Sequence, residues 1–246
     1  MNTEPETATW SSIADWYDSL LQSGSGPHEH AVEILLRLSA TAHGSDVLDI
    51  ACGQGHASRA LARAGARSVT GTDLAPEMIA AARRHEADEP LGIEYLVEDA
   101  TTLQALPDAA FDLVTCQLGL MDIPDLTATL TAVHRVLRTA GAFVFVIGHP
   151  CFLAPDAQTV TTADGRPGRL ITDYLHERFW ISRNPQGVRR AGNHHRTLST
   201  YLNTILTCGF TLEIIEEPPA GTLLAQHQPV YSAIPIFFAA RARKTH

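Results

Sequence analysis

The chain has 246 residues, of which 45% are hydrophobic, enough for one substantial core and short for two full domains. Its formal net charge of −9 argues against a general affinity for nucleic acid, which needs clustered Lys and Arg to displace counterions. The basic residues are scattered, apart from Arg189-Arg190 and the tail Arg241, Arg243 and Lys244, so a small-molecule partner is favoured over RNA.

Residues 1 to about 9 are polar and expected to be disordered, and M-N-T-E-P-E-T-A-T-W lacks the charged-then-apolar form of a signal peptide. No run of about 18 apolar residues follows, so no membrane span is expected and the location reads as cytoplasmic. A short helix over 10–21 carries Trp16 and Tyr17, and a Gly/Ser break leads to a helix over 28–38 whose apolar positions Ala31, Ile34, Leu35 and Leu38 face a core. V-L-D-I-A-C-G-Q-G at 47–55 reads as a strand buried on both faces, interrupted by Asp49, running into a glycine turn. Gly53 and Gly55 let backbone N–H groups approach a ligand. A helix over 56–66 follows, with Gly65 as its stop.

Further strands are expected at 68–74, ending in Asp73, at 93–100, running into Asp99, within 111–125, which holds a fourth strand and a loop with Gln117 just past the strand, and at 141–147. Helices at 76–84 and 126–137 separate them, Pro76 suiting a first helical position. Strands alternating with helices at this spacing imply a parallel sheet with right-handed crossovers. Residues 149–196 break the pattern and read as an irregular lid or insert. A helix over 197–208, closed by Gly209, and strands at 210–218 and 230–242 complete the chain, Pro235 implying a bulge or an edge.

Strand, glycine turn and helix form the cofactor crevice of a doubly wound sheet, and Asp73 lies at the distance where an acid accepts hydrogen bonds from a ribose diol. A nicotinamide-dependent oxidoreductase is one reading, but the third glycine of G-x-G-x-x-G is Ser58 here. A cofactor-binding protein without turnover is another. The four cysteines (Cys52, Cys116, Cys151, Cys208) include no C-x-x-C pair, so zinc ribbons and disulfide frameworks lack support. The pair His28-x-His30 is expected on an exposed side before its helix, and no metal site is expected there or elsewhere.

The run D-I-A-C-G-Q-G resembles motif I of class I S-adenosylmethionine-dependent methyltransferases, D-x-G-x-G-x-G, with Ala51 where the first glycine usually stands. The acidic end of strand two, D-A after strand three, F-D-L-V at strand four, H-R-V-L-R-T-A-G at 134–141 and the terminal strand pair are similar to the family's later motifs in the same order. L-M-D-I-P-D, G-H-P-C-F and H-R-T-L-S-T-Y-L-N resemble a small-molecule subgroup. The resemblance covers roughly residues 10–243. It implies one α/β domain over 1–246: a doubly wound, Rossmann-like, seven-stranded and mostly parallel sheet with an antiparallel last strand, N-terminal helices over 1–40 and a substrate-side cap insert over 149–196.

It further implies S-adenosylmethionine as cofactor and S-adenosylhomocysteine as product. Ala51, Cys52, Gly53 and Gly55 would face the methionine part and ribose, with Asp49 as the buried anion for its ammonium. Asp73 would bind the ribose hydroxyls, Leu74 and Met78 would pack on adenine, and Asp99 and the Ala100 N–H would meet the adenine edge. Gln117 would contact the methionine part and Tyr17 would close over it. Methyl transfer also needs a proton acceptor for many nucleophiles, and His149, His194 and His195 are the histidines placed for it by sequence position. Arg196 is expected to pair with a carboxylate of substrate or protein. Tyr174, Phe179 and Trp180 are expected to line an apolar pocket for an aromatic or polyketide-like acceptor, methylated at O, N or electron-rich C, as in natural-product tailoring. Nothing in the sequence specifies an oligomer.

Overall fold

The computed structural model describes residues 9–40, 42–182 and 187–245. The expectation for residues 1 to about 9 falls, except for Thr9, outside the described residues, as do residues 183–186 of the insert. A short 3-10 turn, Ser11–Ile13, leads into α1 (Ala14–Gln22) and α2 (Gly26–Leu38). Then β1 (Asp46–Ile50), α3 (His56–Arg63), β2 (Ser68–Asp73), α4 (Pro76–Asp88), β3 (Glu94–Val97), β4 (Phe111–Gln117), α5 (Leu126–Val136) and β5 (Leu137–Gly148) build the alternating body. The insert carries β6 (Gln158–Thr161), β7 (Pro167–Leu170), β8 (Arg178–Trp180) and β9 (Asn193–His195). The chain finishes with α6 (Leu198–Thr207), β10 (Phe210–Glu216), α7 (Thr222–His227) and β11 (Phe237–Lys244).

Seven strands form one sheet in the order β10-β11-β5-β4-β1-β2-β3. Only β11 runs antiparallel to its neighbours, so the expected mostly parallel, Rossmann-like sheet with one reversed last strand is the fold observed. Strand direction of growth reverses between β1 and β4, and a crevice opens at the carboxyl ends of strands at such a switch point.

Alternation along the strands divides the core into two layers. Leu48, Ile50, Val114, Cys116, Phe143 and Phe145 face α5 and α6, meeting Leu130, Val133, Tyr201 and Ile205. Val47, Leu113, Val144 and Val146 face the other way, against Ile34 and Leu35 of α2, Leu61 of α3 and Ile79 of α4. Helix starts follow local chemistry: Asp125 accepts from the Ala128 N–H and Thr197 from the Thr200 N–H, each satisfying an orphan donor of the first turn. Thr197 is thus the cap of α6, and His194 and His195 belong to β9 before it.

Three expectations change. The insert is not irregular: β6 pairs with β7 and β8 with β9, both antiparallel. Asp164-Gly165, with Gly165 at φ +81°, is a hairpin turn signal inside a stretch whose low hydrophobicity hides its strands. The expected 230–242 strand begins only at Phe237, because Pro235 cannot donate to a ladder and β11 is paired on both sides; α7 and a 3-10 turn at Pro229–Ser232 fill the space before it. The irregularity falls instead on the edge strand β10, between Leu212 and Ile214. Finally, α2 begins at Gly26, so His28 and His30 lie in its first turns, half-buried rather than before the helix. Among the described residues no helix is long and apolar enough to cross a membrane.

Phe145 is fully buried between Phe143, 5.5 Å away ring to ring, and Phe238, 6.3 Å away. Phe145→Ala is expected to lower unfolding free energy by about 3–5 kcal/mol through lost burial and the cavity left behind, measured by denaturant titration followed by circular dichroism.

Candidate active site at the carboxyl edge of the sheet

A cavity of about 410 Å³ opens over the carboxyl ends of β1, β2, β3 and β4. The turn after β1 contributes Ala51 and Gly53; the end of β2 and start of α4 contribute Asp73, Leu74, Ala75 and Met78; Asp99 and Ala100 follow β3. The loop after β4 supplies Gln117, Leu118, Gly119, Asp122, Ile123 and Pro124. Thr9, Trp10, Ser11 and Tyr17 close one side from the N-terminal segment, and Phe179 and Ala191 close another from the insert.

The turn is held from beneath by Asp49, which is fully buried and does not reach the cavity wall. Its Oδ2 accepts from Ser58 Oγ at 2.7 Å and its Oδ1 from Thr115 Oγ1 at 2.8 Å. Burial still pushes the Asp49 carboxyl up to about 6, against those hydrogen bonds. Ser58, the residue that breaks the dinucleotide glycine pattern, is therefore a hydrogen-bond donor the buried acid requires. Gly55 begins α3 at φ +83°, and a Cβ there would lie 2.3 Å from the Tyr95 hydroxyl, so no side chain fits. Cys52 and Gly55 thus sit behind the turn, and Cys52 is half-buried, desolvation pushing its thiol well up. Ala51 stands at φ 49°, in the left-handed region that costs a non-glycine residue about 1 kcal/mol or more. Gly119 gives it room: a Cβ on Gly119 would be 2.6 Å from the Ala51 Cβ. Leu118, at φ 56°, is a second strained residue on the same cavity wall.

Asp73 joins the two loops, accepting from Gly53 N–H at 2.8 Å and Ala75 N–H at 2.9 Å. Burial raises its carboxyl and these backbone donors offset part of that. Leu74 is 66% exposed and Met78 only 1%, so Leu74 has a face to give to a ligand while Met78 supports the floor. Asp99 Oδ1 accepts from both Thr101 N–H and Thr101 Oγ1 at 2.8 Å, which orients its carboxylate at the cavity rim. Gln117 Nε2 donates to the His28 carbonyl at 3.0 Å, pinning α2 to the end of β4. Tyr17 packs edge-on against Trp10 and His28, with ring centroids 5.4 and 5.5 Å away. Burial raises its hydroxyl, helped by Asp122 and Asp73, and lowers His28 to about 4.

The three expected histidines are not on this cavity. His149 is 1% exposed; its Nδ1 accepts from Cys151 N–H and its Nε2 donates to Glu217 at 2.7 Å, so it ties the end of β5 to the segment after β10. His195 Nε2 bonds the Tyr174 carbonyl at 2.7 Å, and His194 packs on Phe179. Both line a separate polar niche of about 20 Å³. Among the described residues Arg196 pairs with no carboxylate: it donates to the carbonyls of Leu120, Ile123 and Pro124 at 2.7–3.1 Å. Of the expected apolar trio only Phe179 reaches the cavity; Tyr174 accepts from the Leu198 N–H and Trp180 lies under Arg189. His28 bonds Ser25 and His30 bonds the Pro219 carbonyl, at 2.6 and 2.9 Å.

Residue-type reasoning missed Trp10 and Asp122. The signal for Asp122 was an acid placed in an apolar run, L-M-D-I-P, just past the strand that ends at the crevice. The charged residues of the cavity wall are Asp73, Asp99 and Asp122, with no Lys or Arg among its described residues. Two carboxylates flanking the apolar Leu74 and Met78 suit a nucleoside, the diol on one side and an exocyclic amine on the other. The absence of cationic groups is unlike a site for a pyrophosphate.

Residues 48–145 match the family model of a methyltransferase domain. The ubiquinone biosynthesis O-methyltransferase of Xanthomonas oryzae pv. oryzae is 41% identical over 98 residues, and that match covers 40% of this chain and 41% of the relative. The chain thus spans less than half the length of the curated relatives it matches. Over nearly the whole fold, the crystal structure of an S-adenosylmethionine-dependent methyltransferase from Mesorhizobium loti is 31% identical, with 85% of this chain and 96% of that one covered and a TM-score of 0.70. A structure from Listeria monocytogenes assigned to the same class is 26% identical, covers 89% and 97%, and has a TM-score of 0.72.

An acid that titrates near 6 when folded and at its ordinary 3.8 when unfolded penalises the folded state as pH rises through that window. His28, held near 4 against 6.5, acts oppositely, costing stability as pH falls. Their effects overlap in the wild type, so the variant difference isolates Asp49. Asp49→Asn is expected to gain stability relative to wild type between pH 4 and 7, by up to about 3 kcal/mol, and to level off above. Paired urea melts across that range check it; a pH-independent difference would contradict the buried-acid account.

Proposed function

The chain belongs to the S-adenosylmethionine-dependent methyltransferases, and on that premise we propose that it transfers a methyl group to a small-molecule acceptor bound in the cavity. When bound, S-adenosylmethionine supplies a methyl group activated on a sulfonium. Asp73 is the residue to hold the ribose hydroxyls, since it already sits where β2 ends and its partners Gly53 and Ala75 fix its two oxygens. Leu74 offers an apolar face for adenine and Asp99 an acceptor for its amino group, beside the Ala100 backbone. Ala51, Gly53, Gln117 and Tyr17 remain for the methionine part. Asp49, Cys52 and Gly55 act from behind the turn and keep its shape.

The observation that carries the reading is the pairing of Asp73 and Asp99 around an apolar wall, in a cavity with no cation on its described surface. Such a wall receives a cationic sulfonium nucleoside without charge conflict and offers nothing to the phosphates of a dinucleotide. The rest of the volume, walled by Trp10, Tyr17 and Phe179, suits an aromatic acceptor. The proposed location is the cytoplasm, where four free thiols persist.

Calorimetry with S-adenosylhomocysteine, against NAD and NADP, tests the reading. Selective binding of S-adenosylhomocysteine is expected, and Asp73→Ala is expected to weaken it about tenfold or more through the lost charge-assisted hydrogen bonds. A folded wild type that binds none of the three, or prefers a dinucleotide, refutes it.

A further inference from the structure

The loop after β4 carries one group that neither the turn nor the nucleoside side uses. Asp122 lies on the cavity wall, between the end of β4 and the insert. Its backbone N–H is taken by the Gly119 carbonyl at 2.8 Å, but among the described residues none donates a hydrogen bond to its carboxylate. Asp122 is half-buried, so its carboxylate keeps its acceptor capacity open towards the cavity it lines.

The protein spends several strong donors on placing this carboxylate without binding it. Arg196 donates to the carbonyls of Leu120, Ile123 and Pro124, and the His194 N–H donates to the Met121 carbonyl at 2.6 Å. These bonds clamp the loop on both sides of Asp122 and leave its side chain turned to the cavity. The groups that face it electrostatically are Arg189 and Arg196 from the insert side and Asp73 across the cavity, with Tyr17 feeling its charge in turn. Burial outweighs the two guanidinium groups and raises the carboxyl well above its usual range, which strengthens its conjugate base.

We propose that Asp122 is the catalytic residue on the acceptor side, receiving the proton-bearing heteroatom, a hydroxyl or an amine, that is to be methylated. The assignment rests on the methyltransferase reading. The heteroatom gives its lone pair to the transferred carbon, the carbon–sulfur bond breaks with its pair retained on sulfur, and the heteroatom's proton passes to the Asp122 carboxylate. A carboxylate acceptor is disfavoured, because its charge would meet Asp122 in a wall whose other charges are also acidic. Arg196 acts as a positioning residue through the loop carbonyls.

The test is binding of small aromatic probes by ligand-observed NMR, with and without S-adenosylhomocysteine. The probes are 4-methylphenol, benzylamine, the donor-less ether 4-methylanisole, and 4-methylbenzoate. At least one donor probe is expected to bind about tenfold tighter than the ether, as a hydrogen bond to a charged group allows, and the benzoate weakest. The phenol and amine arms separate O- from N-methylation. Asp122→Ala and Asp122→Asn are both expected to hold S-adenosylhomocysteine within about twofold while the donor-over-ether preference disappears in the Ala variant and shrinks in the Asn variant. An ether bound as well as the donors, a preferred benzoate, a preference that survives both substitutions, or no probe bound by protein that binds S-adenosylhomocysteine overturns the assignment. Failure of the wild type to bind S-adenosylhomocysteine refutes the methyltransferase reading instead, whatever the probes do.

Discussion

The site depends on one buried carboxylate. An acid on a strand packed on both faces is costly unless satisfied, and Asp49 is satisfied by hydroxyls from two different elements, Ser58 of α3 and Thr115 of β4. Those bonds do more than offset desolvation. They fix the first turn of α3 against β1, and so the path of the turn between them, and they set β1 against β4 at the level where Asp49 is paired with Thr115. The switch point of the sheet, which opens the crevice, is thus locked by the same three side chains that shape its floor.

The strain at the turn follows from that lock. With the ends of the 51–55 segment held, Ala51 is kept in a left-handed conformation, and the neighbouring loop accommodates its methyl by carrying glycine at 119. Ala51 and Gly119 are one packing unit, which explains how an alanine replaces the glycine usual at this position without closing the cavity.

Most of the parallel body was legible because burial on both faces forces unbroken apolar runs, and because glycine and proline mark the ends of helices. The place of Asp73 and Asp99 on the cavity wall was legible for the same reason, since an acid at the carboxyl end of an apolar strand stands at the edge where a crevice opens. The insert was not, since its short strands bury one face at most and read as polar. The three histidines misled because residue type and nearness in sequence suggested a base, whereas the folded chain uses His149 to join β5 to Glu217 and His195 to hold the Tyr174 carbonyl. Asp122 was hidden because it lies in a loop, where no periodicity marks which side chain faces the cavity.

The two halves of the cavity differ in where their walls come from. The side that carries Asp73 and Asp99 is built from strand ends and the turns they hold, with short backbone bonds such as Gly53 to Asp73 that leave little freedom. The side that carries Asp122 is built from a loop whose shape is imposed from outside, by Arg196 and β9. Changes at Arg196 or β9 therefore reach the Asp122 wall through the loop carbonyls, while the turn that Asp49 holds rests on bonds to Ser58 and Thr115 instead. Such an arrangement separates the two walls mechanically: one is fixed by the sheet and the other by the segment that precedes α6.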